Sequence, residues 1–182
     1  MAFDGIITAA MAEVLQRNLL YGRIDKIYQP EPDELLLQIY TKNGIRRLFA
    51  TVNSASASVR LIQKNTVNPP VPLAFCMLLR KHLSGARISE IEQKDSERIL
   101  EISMETVNEL GFTVSRKLIF EIMGKHSNII LIDRETDKIL GSIKKVSIDM
   151  NRARQILPGK IYEYPPAQDN IPFRNASGDD LL

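Results

Sequence analysis

The first of three candidate functional clusters in this sequence is the adjacent acid and base Glu97-Arg98. The pair follows a predicted turn and opens a predicted strand. A carboxylate can accept hydrogen bonds from the amines of nucleotide bases, and an arginine can donate to base acceptors or stack on a base. The pair therefore fits the reading of a nucleic acid. The alternative is an exposed ion pair of little energetic value.

A second candidate is Glu121, which is followed by Ile122 and Met123 in an otherwise apolar strand. An acid in such a strand needs either solvent or a cation as partner. Arg116 and Lys117 are the nearest candidates along the chain. We therefore predict that Glu121 is exposed or paired with a cation, such as one of these two.

A third group consists of cations that could contact the phosphates of a nucleic acid. Its members are Arg80, Lys81, Arg87, Lys125 and His126. Three of them lie in the segment 35–89, which holds eight Lys or Arg and no Asp or Glu. Such a segment suits a face that attracts a large anion. Two alternatives remain open: the cations pair with acids from elsewhere in the fold, or they favour the dipole at a helix end.

Nucleophilic, metal and cofactor chemistry have little support in this sequence. His126 and Ser127 are adjacent, but neighbours in a turn rarely face each other, and we expect Ser127 or Asn128 to bond the local backbone instead. One Cys and two His cannot supply a usual zinc tetrad. We expect Cys76 to be a reduced core thiol. The sequence thus predicts a protein that is not an enzyme and that takes no cofactor or metal.

The elements that must position these residues indicate an α+β fold. Asp4 is a good N-cap for a helix over 4–20, and a nearly all-apolar helix over 73–84 should be buried on most sides. About nine strands alternate with turn signals, including the Asn43-Gly44 hairpin. The later strands are predicted near 86–92, 97–103, 115–123, 128–133 and 138–146. We expect the chain from Pro158 to run extended over the surface.

The composition indicates a cytoplasmic protein without a membrane span. The amino terminus carries an acid where an export signal needs basic residues. No apolar run reaches the length of a spanning helix.

Several stretches of this sequence resemble the amino-terminal NFACT domain of the bacterial ribosome-associated quality-control factors, also described as fibronectin-binding protein A-like. They are MAFDG at 1–5, GRIDKIYQP at 22–30, FCMLLRKHL at 75–83, EIMGKHSNIIL at 121–131 and LPGKIY at 157–162. The resemblance covers 1–170 as the domain, and 171–182 is expected to be a disordered tail or the start of a linker. The resemblance implies that family proteins continue into further domains, which we expect to lie outside these 182 residues.

The resemblance implies a two-sheet antiparallel β-sandwich flanked by helices, like the amino-terminal domain of formamidopyrimidine-DNA glycosylases. It also implies a role in binding tRNA and a large ribosomal subunit that carries peptidyl-tRNA. Family members recruit alanine tRNA for untemplated alanine tailing of stalled chains. The family's tRNA-reading Asp-Arg pair falls on Glu97-Arg98, where Glu replaces Asp. Its Glu-Ile-Met motif falls unchanged on residues 121–123.

Two rival functions come with the resemblance. A DNA glycosylase of the related fold uses an amino-terminal proline as nucleophile, but here the first proline is Pro30. A fibronectin-binding surface adhesin is suggested by the other family name, and it would need export by an unusual route.

Overall fold

The fold combines two α-helices with a sheet of nine strands. The computed structural model describes residues 3–166. Within them lie α1 (Gly5–Leu19), β1 (Arg23–Tyr28), β2 (Glu34–Thr41), β3 (Gly44–Thr51), β4 (Ser58–Ile62), α2 (Ala74–Leu83), β5 (Arg87–Gln93), β6 (Ile99–Val107), β7 (Thr113–Glu121), a 3₁₀ turn (Gly124–His126), β8 (Asn128–Asp133) and β9 (Ile139–Ser142). The α+β prediction is confirmed. The tail predicted at 171–182 lies outside the described residues.

The local signals of the sequence act as expected at the first helix and the first hairpin. The Asp4 side chain accepts a hydrogen bond from the backbone N–H of Ile7 at 2.8 Å, so it caps α1. Gly44 has a φ of +102°, a left-handed conformation that suits glycine in the tight turn between β2 and β3.

The two-sheet sandwich prediction is wrong, because all nine strands form one antiparallel sheet in the order β4-β3-β2-β1-β5-β6-β7-β8-β9. The joint between its two halves is the pairing of β1 with β5. There the N–H of Tyr21 donates to the carbonyl of Ile88 at 2.9 Å, and that of Ile24 to Ala86 at 2.8 Å. Gly85, at a φ of +76°, turns the chain after α2 so that β5 starts beside β1. Periodicity predicts strands, but it does not tell whether two runs of strands meet face to face or edge to edge.

The main core contains both helices and one face of the sheet. Helix α2 contributes Phe75, Cys76, Leu79 and Leu83, so the prediction of a core thiol is confirmed. The expectation that α2 is buried on most sides is wrong. Met77 is 55% exposed, and the buried residues of α2 are the four just named.

A second, smaller core covers the other face of β6 to β9. Ile99, Ile119 and Ile130 pack there against Ile156 and Tyr162 from the segment after β9. This segment, residues 144–166, is joined to the sheet by the isolated bridge 138/161 and by backbone hydrogen bonds of Ile139 with Gly159 and Lys160. The isolated bridge 146/156 pairs the segment with itself. Strand β9 ends at Ser142, four residues before the predicted end, and this frees the segment to cross the sheet face.

Candidate nucleic-acid interface

A cleft lies between the 3₁₀ turn and the segment 144–166. Its volume is about 630 Å³. The residues that line it are Glu121, Met123, Lys125, His126, Ser127, Asn128, Lys144, Lys145, Val146, Met150, Asn151, Arg154, Ile156, Pro165 and Pro166. Four of the predicted site residues, Glu121, Met123, Lys125 and His126, are therefore brought together. Ile122 is buried in the main core instead.

The floor of the cleft is a buried charge pair. Glu121 ends β7 and is fully buried, and Arg154 donates from both terminal guanidinium nitrogens, one to each oxygen of its carboxylate. The hydroxyl of Tyr162 also donates to the carboxylate, at 2.5 Å. The prediction of a cation partner is confirmed, but the two candidates named for it are not that partner, since Arg116 and Lys117 pair with Asp133 and Glu101 at 3.0 and 3.3 Å. The true partners lie 33 and 41 residues further along the chain.

The electrostatics of this floor keep Arg154 and Tyr162 each in one protonation state. Burial alone would lower the pKa of Arg154, but the hydrogen bonds and charge of Glu121 outweigh burial and raise it. Burial, followed by the Glu121 charge, raises the pKa of Tyr162 far above its ordinary range. Tyr162 is therefore a neutral donor and Arg154 a fixed cation. Both oxygens of Glu121 are occupied, so this carboxylate fastens the segment 144–166 to β7.

A second buried acid helps hold the same segment. Glu101 on β6 is 2% exposed. It accepts a hydrogen bond from the Tyr164 hydroxyl at 2.8 Å and pairs with Lys117. Lys94 lies over the ring of Tyr164 at 4.6 Å. The hydroxyls of two tyrosines of this segment thus donate to two buried carboxylates, and these hydrogen bonds fix one wall of the cleft.

The opposite wall is set by a hydrogen-bonded turn. The hydroxyl of Ser127 accepts from the N–H of Met123 at 2.8 Å, and the Asn128 side chain bonds both the N–H and the carbonyl of Lys144, at 3.0 and 2.9 Å. The prediction that Ser127 or Asn128 bonds local backbone is confirmed for Ser127, whereas the bonds of Asn128 to Lys144 span 16 residues. His126 is exposed and Ser127 is buried, so they do not form a catalytic pair.

Some cations of the cleft are hydrogen-bonded within the protein, and others are exposed. Lys125, His126 and Lys145 are exposed at its mouth. Lys144 donates to the carbonyl of Val52 at 3.0 Å. Sequence reasoning missed Lys144, Lys145 and Arg154, because 144–145 were assigned to a strand and 154 to no element. The only signal was the excess of Lys and Arg over Asp and Glu across 111–160.

Glu97 and Arg98 do not line the cleft. They lie beside residues 121–123, which we call the cleft motif. Both are half-buried in the turn before β6, so strand β6 begins two residues later than predicted. The backbone N–H of Ile122 donates to the carbonyl of Arg98 at 2.9 Å. The Gln93 side chain donates to the carbonyl of Glu97 at 2.7 Å. The two predicted tRNA-binding motifs, 97–98 and 121–123, are therefore neighbours, joined through the backbone.

The remaining predicted cations lie on other elements. Arg80 on α2 donates from two nitrogens to the carbonyl of Ile27, at 2.9 and 2.7 Å, so much of its side chain is used in the fold. Lys81 is exposed beside a second cavity of about 400 Å³. Arg87 is exposed at the start of β5. None of these three lines the cleft, and their contact with phosphates stays a prediction.

The carboxylate-free segment keeps its positive charge in the folded chain. None of its eight cations forms an ion pair with a carboxylate among residues 3–166. This removes one of the two alternatives left open by the sequence, namely neutralisation by acids from elsewhere in the described fold. Arg80 bonds a carbonyl, and Arg47 bonds Asn65 and the carbonyl of Gln63.

Metal binding has no structural support in the part of the chain that is described. No cluster of three or more His, Cys, Asp or Glu side chains in residues 3–166 could hold an ion. None of the helices described is long and apolar enough to cross a membrane.

Comparison with known proteins decides the family. The model of the NFACT N-terminal and middle domains matches residues 4–182. The chain belongs to this family. Proteins described as Rqc2 homolog RqcH from Bacillus subtilis strain 168 and Streptococcus suis strain 05ZYH33 are 41% and 45% identical to it over 182 residues. Those alignments cover all of this chain but 32% and 33% of the two relatives, so the chain spans about a third of their length.

Solved structures of NFACT relatives share the fold. The N-terminal domain of fibronectin-binding protein PavA from Streptococcus pneumoniae matches with a TM-score of 0.88 and 41% identity, over 95% of this chain and 66% of that one. The N-terminal part of the fibronectin/fibrinogen-binding protein from Streptococcus suis matches with a TM-score of 0.88 and 45% identity, over 91% and 62%. The family resemblance stated from the sequence is confirmed. The likeness to DNA glycosylases stays a prediction.

Proposed function

We propose that this chain is the RNA-binding amino-terminal part of a ribosome quality-control factor. In this role it binds tRNA, with alanine tRNA the expected species, and a large ribosomal subunit that carries peptidyl-tRNA. It acts in the cytoplasm, without a membrane. Its whole-length relatives named as Rqc2 homologues support the pathway.

The observation that carries the proposal is the contact between two motifs beside a basic cleft. The carbonyl of Arg98 accepts from the N–H of Ile122, so the acid–base pair and the cleft motif form one surface. Lys125 and Lys145 are exposed at the cleft mouth and can contact phosphates. In this arrangement the cleft cations supply affinity, and Glu97 with Arg98 supplies selectivity.

The proposal assigns no catalysis to this chain. Peptide-bond chemistry in alanine tailing belongs to the ribosome, so the domain has to hold RNA and release it. The buried Ser127 hydroxyl is taken by a backbone N–H, which agrees with a binding role.

Binding to tRNA tests the affinity part of the proposal. The 182-residue chain should bind tRNA with an affinity that falls as salt rises, since phosphate contacts release counterions. Lys125→Gln with Lys145→Gln should weaken binding and flatten the salt dependence. Lys138→Gln with Lys160→Gln is the matched control, because these lysines are exposed outside the cleft. Equal effects of the two double variants would contradict a role for the cleft.

Alanine tailing in cells tests the selectivity part. In the full-length protein, Arg98→Ala should abolish tailing while ribosome association survives, because phosphate contacts are spread over many cations. Glu97→Asp should be tolerated and Glu97→Ala should not. Arg134→Ala serves as an exposed arginine control. Normal tailing with both Glu97 and Arg98 as alanine would show that the pair is an ordinary surface feature.

Fibronectin binding is the second candidate function, because two solved neighbours carry that name. Surface plasmon resonance with immobilised fibronectin and, separately, immobilised tRNA would distinguish the candidates. Binding to fibronectin that exceeds binding to tRNA at physiological salt would favour the adhesin.

A further inference from the structure

Two tyrosines and two arginines form a row on the outer face of the sheet, away from the cleft. Tyr40 on β2 is directly opposite Arg23 on β1, and Arg23 is directly opposite Arg87 on β5. Directly paired residues on neighbouring strands present their side chains on the same face. The guanidinium of Arg87 lies over the ring of Tyr21 at 5.2 Å, which adds a fourth member. We call these four residues the tyrosine–arginine row.

The row contains a like-charge pair that the described fold does not neutralise. Arginines directly opposite each other on paired strands repel, which costs stability. Neither Arg23 nor Arg87 forms an ion pair with a carboxylate of residues 3–166, although Glu105 is opposite Arg87 on β6. Arg23 makes one hydrogen bond, to the carbonyl of Gly85 at 3.2 Å. A bound anion between the two arginines would remove the repulsion.

The tyrosines of the row are exposed, so core packing does not account for them. Tyr21 is 61% exposed and Tyr40 is 63% exposed. Tyr21 also has a φ of +67°, a left-handed conformation that is strained for a bulky residue and easy for glycine. Its N–H donates to the carbonyl of Ile88, which holds this conformation. The fold therefore keeps Tyr21 in a strained backbone conformation, with its ring exposed beside Arg87.

We propose that the tyrosine–arginine row binds unpaired nucleotides of an RNA, with a phosphate between Arg23 and Arg87 and bases stacked on Tyr21 and Tyr40. Exposed aromatic rings beside cations form the usual platform for single-stranded nucleic acid, because every base has a face that can stack. An acidic or phosphorylated peptide would use the arginines but would not need the rings. The inference rests on the proposed RNA-binding function and adds a second contact surface, since none of the four residues lines the cleft.

The binding of a short single-stranded RNA distinguishes this surface from the cleft. Fluorescently labelled octauridine is titrated with the 182-residue chain and with a variant that carries Tyr21→Asn and Tyr40→Thr, while unlabelled tRNA binding is measured in parallel. Asparagine tolerates the left-handed conformation, and threonine suits an exposed strand position. The variant should bind octauridine roughly tenfold or more weakly, which corresponds to the loss of stacking on one or two bases. Phe112→Ala is the matched control, since Phe112 is 65% exposed outside the row.

The role of the arginines is tested by replacing them with neutral glutamine and measuring how the affinity for octauridine depends on salt. Arg23→Gln with Arg87→Gln should reduce the slope of log affinity against log salt by about 0.7 for each phosphate that the variant no longer neutralises. The Tm is measured beside the binding, because this variant loses the repulsion together with the Arg23–Gly85 hydrogen bond and the contact of Arg87 with Tyr21. Weaker binding at an unchanged Tm would not reflect unfolding. Arg17→Gln, an exposed arginine on α1, is the control. Glu105→Gln should tighten binding, because it removes the carboxylate opposite Arg87.

The outcomes separate this inference from the proposed function. Weaker octauridine binding in the tyrosine and arginine variants, with both controls unchanged, supports the row. Binding of tRNA but not of octauridine, or octauridine binding that none of the row variants changes, overturns the row and leaves the proposed function standing. Failure of the parent chain to bind either RNA overturns both.

Discussion

Replacing Arg154 by methionine is the sharpest test of how the cleft is built. The substitution keeps a long side chain but removes the cation from a carboxylate whose side chain is 1% exposed. Removing one partner of a buried ion pair costs about 3–5 kcal/mol, because the other charge stays buried. Tyr162 still donates to Glu121 at 2.5 Å, and the Arg154 side chain is 13% exposed, so we expect the lower end, about 3 kcal/mol. For a chain of this size that corresponds to a fall in Tm of about 6–12 °C.

Urea and thermal unfolding, followed by circular dichroism, measure this loss. Arg134→Met is the matched control, since Arg134 pairs with Glu90 at 3.0 Å but the two side chains are 38% and 44% exposed. An exposed pair should cost less than about 1 kcal/mol. Adding Glu121→Gln to Arg154→Met should restore most of the stability, because no buried charge is then left without a partner. Equal losses for Arg154→Met and Arg134→Met would refute the view that this pair fastens the segment 144–166.

Three further outcomes follow from single contacts. Asp4→Ala should lower the free energy of unfolding by about 1 kcal/mol in a urea titration, because the N–H of Ile7 loses its cap, and no change would contradict the capping role. Cys76 should resist a maleimide until urea unfolds the chain, since burial raises the pKa of its thiol; labelling at the native rate of a small thiol would contradict its burial. Gly141→Ala should destabilise by about 1–3 kcal/mol in thermal unfolding, because the new Cβ would lie 2.7 Å from a methyl carbon of Leu78, and an unchanged Tm would show that Leu78 moves freely.

The sequence predicts the elements of this fold well because their signals are local. The Asp4 cap, the Asn43-Gly44 turn and strand alternation each act within a few residues, and the structure follows them. The single sheet is missed because the joint between β1 and β5 depends on how Gly85 turns the chain, and no alternation pattern records that. The family resemblance does not correct this, since it leads to the same sandwich.

The same contrast holds for the candidate site. Adjacent residues such as Glu97-Arg98 are visible as a motif, and so is the acid at position 121. The cation that neutralises this acid is not visible, because Arg154 reaches it from a segment without regular secondary structure. A buried acid can pair with any cation that the fold brings near it. The cations nearest to Glu121 along the chain, Arg116 and Lys117, are therefore not its partners in space.

The position of Glu121 decides how substitutions in its motif should be interpreted. Its carboxylate is fully occupied by Arg154 and Tyr162, and the N–H of the next residue, Ile122, bonds the carbonyl of Arg98. A substitution at Glu121 can therefore displace the cleft wall and Arg98 together without removing any contact to RNA. A direct contact would instead make Glu121→Gln combined with Arg154→Met bind RNA more weakly than Arg154→Met alone, although the double variant is the more stable of the two. Loss of RNA binding that follows the loss of stability across such variants assigns Glu121 a positioning role, and leaves base recognition to Arg98.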